Sequence, residues 1–154
     1  MNIMDTLKIR IETELKDAMR ANDDVRRRTL RMVLSAIKLS EIEKSALLDE
    51  NSITAILHKE VKSRRESILD AQKANRTDLV SDNEAEIKVL EAFLPQPLSG
   101  NELNALVQFA IDEVGAKSPA DMGKVMKVLR PRLQGKAPGD QVSQAVRQFL
   151  TPAK

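Results

Sequence analysis

Apolar positions recur at helical spacing along almost the whole chain. Leu7, Ile11, Leu15 and the Ala18–Met19 pair predict a first helix from about Thr6 to Arg20, capped by Asp5 or Thr6. After the polar break Asn22-Asp23-Asp24, a second helix is predicted over about Val25–Lys44. Leu30, Val33, Leu34 and Ile37 form its apolar face, Met32, Ala36 and Leu39 flank that face, and Arg27, Arg31 and Lys38 share an outer stripe. Asp49, Asn51 and Ser52 mark the next break. A third helix, about Ile53–Asn75, carries a seven-residue rhythm through Ile53, Leu57, Val61, Arg64, Ile68 and Ala71, in which Arg64 is the one charged interruption. A fourth starts near Asp78 or Asp82 and ends at Leu94, with Ile87, Leu90 and Leu94 inward. Successive long charged helices predict an antiparallel bundle or hairpin pair.

Pro95-Gln96-Pro97-Leu98-Ser99-Gly100 interrupts this pattern, because two prolines stop a helix and stiffen an extended connector. Shorter elements follow. A helix capped by Ser99 or Asn101 runs to Val114 and stops at Gly115. Ser118-Pro119 opens another, which Pro131 ends or kinks. Gly135 to Asp140 reads as a turn, and a last helix runs to Leu150 with Val142, Ala145, Val146 and Phe149 inward. The expected fold is all-α: an N-terminal helical bundle or hairpin domain over 1–94, a connector over 95–100, and a small helical domain over 101–154. Aromatic residues at 2% agree with that class, since strand-rich folds use more of them.

Charge adds a localised feature. Residues 98–154 hold 8 basic and 5 acidic side chains, and within 117–136 the ratio is six to one. Lys124, Lys127 and Arg130 fan out opposite Met122, Val125, Met126 and Leu129; Lys117 precedes this helix, and Arg132 and Lys136 follow toward its end. Gly123 within it costs about 1 kcal/mol against Ala, so either a neighbouring backbone packs closely there or a ligand backbone approaches. The row suits phosphate oxygens, or equally a solubilising face. A second basic set, Arg26-Arg27-Arg28 with Arg31 and Lys59, Lys62, Arg64 and Arg65, is interleaved with Asp23, Asp24, Glu60 and Glu66. It reads first as a salt-bridged bundle surface, and otherwise as a second basic surface at Arg27, Arg31, Lys62 and Arg65.

Catalytic chemistry is sparse. Cysteine is absent and His58 is the only histidine, so the usual zinc sites and a triad lack their parts. Glu84 and Glu86 point to different faces of one helix and form no evident acid–base pair. The glycines stand singly and build no phosphate loop. No catalytic residue, metal ligand or cofactor is expected. The charged amino terminus is no secretory segment, and Met32–Ile37 is the longest uncharged apolar run. A soluble cytoplasmic protein without a membrane partner is therefore expected. Phe93, Phe109 and Phe149 are read as core residues, which leaves no platform for stacking bases and directs any RNA recognition to shape and backbone.

Several segments taken in order resemble the YqeY-like family. They are Glu60-Val61-Lys62-Ser63-Arg64-Arg65-Glu66-Ser67-Ile68, Ala74-Asn75-Arg76-Thr77-Asp78-Leu79, Glu84-Ala85-Glu86-Ile87-Lys88-Val89-Leu90 running into Phe93-Leu94-Pro95, Asp121-Met122-Gly123-Lys124-Val125-Met126, and Gly135-Lys136-Ala137. The resemblance implies a C-terminal domain like the tail of GatB, a subunit of the tRNA-dependent amidotransferase, which touches the outer, elbow side of tRNA. It places RNA contact at Gly123, Lys124 and Lys136, with Lys127, Arg130 and Arg132 as neighbours. Pro138 departs from the family, which often has an acidic residue there. The family label of a carbon–nitrogen ligase using glutamine comes from GatB, whose transamidation site lies outside the tail, so it is not read as activity. The expectation is a non-catalytic accessory protein that binds tRNA or accompanies amidotransferase subunits or a tRNA synthetase. The alternatives are a helical protein–protein adaptor and a glutamine-dependent ligase.

Overall fold

The structure, a computed structural model, describes residues 6–152. Among them are seven α-helices and no strand: α1 (Leu7–Arg20), α2 (Asp24–Lys44), α3 (Glu50–Lys73), α4 (Thr77–Glu91), α5 (Gly100–Val114), α6 (Met122–Leu133) and α7 (Gly139–Leu150), with a short 3₁₀ turn over Pro119–Asp121 before α6. The fold is all-α. The chain divides into two compact units, Met1–Pro95 and Gln96–Lys154.

Side-chain caps set most helix starts. The Thr6 hydroxyl accepts the Ile9 N–H, whereas Asp5, the other candidate, lies outside the described residues. Asp23 accepts the Arg26 N–H and Asp49 the Ser52 N–H at 2.8 Å. The Asp49 cap is why α3 begins at Glu50, three residues before the first apolar position of its rhythm. Ser99 and Glu102 form a reciprocal capping box at α5. The fourth helix starts at Thr77, beside the first of the two expected positions, but finishes at Glu91 instead of Leu94, short of Pro95.

In the first unit α3 packs along α4, and α2 along α1 and α4. Leu7, Ile11, Leu30, Val33, Ile37, Leu57, Val61, Leu90 and Phe93 share one core. In the second, α5, α6 and α7 close over Val107, Ala110, Val125, Leu129, Val142 and Val146. Pro131 neither ends α6 nor stands at its boundary; the helix continues to Leu133. Proline removes one backbone donor, but it falls in the last turn, where burial of Leu129 and Leu133 holds the helix in register. Pro138 precedes α7 with extended backbone and provides no side-chain cap; its carbonyl accepts the Val142 N–H.

Candidate nucleic-acid interface

The basic residues of the C-terminal unit do not form one row. At about 100° per residue, Gly123, Lys127 and Arg130 fall within an arc of about 60° on α6. All three are exposed. Lys127 and Arg130 form no salt bridge among the described residues. Lys124 lies beside this stripe; it is well exposed, and its Nζ is 4.0 Å from Asp121 Oδ1. The same Asp121 carboxylate accepts the Lys117 backbone N–H at 3.0 Å, which holds it below the usual carboxylate range. Lys117 is exposed ahead of the helix, and half-buried Lys136 follows it, with its carbonyl accepting the Leu98 N–H. The positive charge of Lys136 helps to depress Glu102, although hydrogen bonds with Ser99 do more.

Arg132 points elsewhere, about 140° round the helix from Lys127. Its guanidinium lies 4.5 Å from the centroid of the Phe109 ring, and Nη1 is 2.7 Å from Glu113 on α5. This corrects the reading of the phenylalanines. Phe93 is buried, but Phe109 is 56% exposed and Phe149 is also exposed. Phe109 sits on the outer side of α5, where Val107, Ala110 and Ile111 already fill the core. Phe149 lies at the end of α7, and its ring stays open to solvent. The absence of an exposed aromatic surface therefore does not hold.

Gly123 is open too: a side chain added there would meet nothing within 4 Å. Close packing by a neighbouring backbone, one of the two explanations for this helix-breaking residue, is excluded. The conformation does not require glycine either, since Gly123 is absent from the positive-φ positions.

The second basic set is largely paired. Arg27 meets Asp24 at 2.6 Å, Arg65 meets Glu91 at 3.0 Å, and Arg26 pairs with Glu14. Arg28 Nε donates to Glu86 Oε1 at 2.9 Å, which raises its pKa. Lys62 also has a partner. Arg31, exposed, has its Nη2 4.0 Å from the Met19 sulfur and forms no salt bridge among the described residues.

Glu86, which the sequence offered only as half of an unconvincing acid–base pair, has a structural role instead. Its two oxygens bridge Arg28 and Arg64, and Arg64, 5% exposed, also donates to Glu60. The charged interruption in the α3 rhythm was the available signal, because a core position occupied by arginine requires a carboxylate partner. Among the described residues no group of three or more His, Asp or Glu is arranged to hold a metal, and no helix is long and apolar enough to cross a membrane.

A family model described as "Yqey-like protein" matches residues 8–150. Curated relatives include "Altered inheritance of mitochondria protein 41, mitochondrial" of Lachancea thermotolerans, 35% identical over 113 residues, covering 71% of this chain and 60% of that protein. The protein of that name in Vanderwaltozyma polyspora is 34% identical over 110 residues, 70% of this chain and again 60% of the relative. That of Pyrenophora tritici-repentis is 28% identical over 128 residues, 80% and 71%. The chain thus spans 60% of the length of the first two. These names overturn the expectation of a cytoplasmic protein, since the relatives are named as mitochondrial. The lack of cysteine does not separate the cytosol from an organelle interior.

Proposed function

The chain belongs to the YqeY-like family, and from that premise we propose that it is a non-catalytic accessory protein that docks folded RNA, tRNA above all, through the outward stripe of α6. Lys127 and Arg130 carry the reading: both are exposed, and neither is neutralised by a carboxylate among the described residues, unlike Arg26, Arg27, Arg28, Arg64 and Arg65 of α2 and α3. Bare Gly123 on the same stripe leaves room for a sugar–phosphate backbone to approach. The resemblance to the tail of GatB supports the choice of tRNA. Lys117, Lys124 and Lys136 extend the contact, with Lys124 weakened by Asp121. Arg132 contributes least, because it is already engaged by Glu113 and Phe109. Amidotransferase subunits or a tRNA synthetase are the natural company of such a protein, and no cofactor is invoked.

Phosphate contacts release counterions, so affinity must fall steeply with salt. The test is titration of tRNA against the wild-type chain and the Lys127→Glu/Arg130→Glu double variant over a range of salt. The variant is expected to bind at least about tenfold more weakly and to lower the logarithmic salt slope by about two. Unchanged affinity and slope would remove the assignment.

A further inference from the structure

We propose that the outward face of α2 docks an amphipathic helix of a partner protein whose apolar stripe is flanked by acidic side chains. The face stands apart from the RNA reading and involves only the N-terminal unit. α2 buries Thr29, Leu30, Val33 and Ile37 on one side. Between Arg28 and Ile42, an arc of about 120° on the other side holds Arg28, Arg31, Met32, Lys38, Leu39 and Ile42, with Ser35 between them. No carboxylate falls in that arc. Glu41, the acidic residue of this stretch, lies to one side and is bound by Lys8 at 2.9 Å.

Three large apolar side chains on the arc are open to solvent: Met32 at 53%, Leu39 at 58% and Ile42 at 65%. An isolated exposed leucine is ordinary, but three at spacings of seven and three on one ridge match the anchor periodicity of helix-on-helix recognition. Met19 of α1, also exposed, widens the apolar surface beside Arg31. Methionine adapts its shape to a partner more readily than branched residues do.

Charge selects the occupant. Arg28 is held by Glu86, whereas Arg31 and Lys38 form no salt bridge among the described residues and border the ridge along its α1 side. A helix with acidic flanks would neutralise both cations while burying the apolar ridge. A second copy of the same face would set these cations against their like, which is unfavourable. RNA would satisfy the cations but leave Met32, Leu39 and Ile42 in water, and the face carries no aromatic ring on which a base could stack.

The test uses the full chain and two synthetic 15-residue helical peptides, each with leucines at helical spacing, one flanked by glutamates and the other by lysines. By fluorescence anisotropy the acidic peptide is expected to bind at least tenfold more tightly than the basic one. Arg31→Glu/Lys38→Glu should reverse that preference, and Leu39→Ser/Ile42→Ser should weaken acidic-peptide binding about tenfold. All four positions are exposed, so circular dichroism should be unchanged; single Lys38→Glu gives a milder reversal if either double variant fails to fold. Equal binding of the two peptides, or acidic-peptide binding indifferent to these substitutions, would overturn the proposal. So would binding confined to phosphatidylserine vesicles, or a self-association in sedimentation velocity that the same variants abolish.

Discussion

Arg64 of α3 donates from Nε to Glu86 Oε2 of α4 at 2.7 Å, and the pair sits at a position where the helical rhythm calls for an apolar side chain. The rest of the guanidinium is occupied as well. Nη1 reaches the Glu60 carboxylate at 2.7 Å and its backbone carbonyl at 3.1 Å, and Nη2 faces the Met32 sulfur at 3.7 Å. The arginine is thus desolvated with an acceptor facing each of its three nitrogens, which makes it a structural group. Removing one partner of such a buried pair is far more costly than replacing the pair as a whole, because the remaining charge is stranded.

Glu86→Leu is therefore expected to destabilise the N-terminal unit by about 3 kcal/mol, since it leaves both Arg64 and Arg28 short of an acceptor. Arg64→Met should cost clearly less, because Glu86 keeps Arg28 and the thioether fills part of the vacated volume. Urea unfolding of both variants reads the difference. Equal losses would mean that the pair does not act as a buried network.

Gly123→Ala separates folding from binding at the α6 stripe. With nothing near the added methyl, the substitution should raise stability by about 0.5–1 kcal/mol through helix propensity alone. Under the proposed docking mode the methyl also intrudes where the RNA backbone comes near, so tRNA affinity should fall several-fold in the more stable protein. Thermal unfolding and a tRNA titration of one preparation check both halves. A gain in stability with unaltered affinity would place the RNA elsewhere.

Several carboxylates lie below their ordinary range. The Ser52 N–H depresses Asp49, the hydrogen bond with the Ser99 hydroxyl depresses Glu102, and the Lys117 N–H depresses Asp121. A group whose pKa is lower in the folded state supplies stability above its unfolded value and loses it as pH falls through the folded one. The melting temperature should therefore be flat near neutrality and fall as pH drops below the ordinary carboxylate values. Asp49→Asn and Asp121→Asn should each shallow that acid limb, while at neutral pH asparagine at position 49 should retain most of the cap. Melting curves from pH 7 to 3 measure the effect, and an unaltered limb would refute the assignment of these groups.

Helices and caps were legible in the linear pattern because they are local. Leu7, Ile11 and Ala18 are buried at the expected spacing, Ser99 and Gly115 bound α5, and the polar breaks at Asp23 and Asp49 became caps. The basic stretch was legible as composition, though not as geometry. Arg132 belongs to the same run of charge as Arg130, yet it turns to α5 and stacks on Phe109. Phe109 reads as a core residue, but Val107, Ala110 and Ile111 of the same helix face the core and the Phe109 ring lies outside it.

From the sequence alone follow the all-α class, the helical repeat of the central core positions and the concentration of cations near the C-terminal end, since these depend on residue type and on a repeat of 3.6; Met32, Leu39 and Phe149, expected at or beside apolar faces, are exposed. Only the tertiary structure decided which charges are neutralised. Arg64 is buried because Glu86, 22 positions later, returns beside it, whereas Lys127 and Arg130 stay unneutralised because no carboxylate comes back to them among the described residues. Ion pairing depends on distances of a few ångströms between separate elements, and periodicity along one helix carries no information about them.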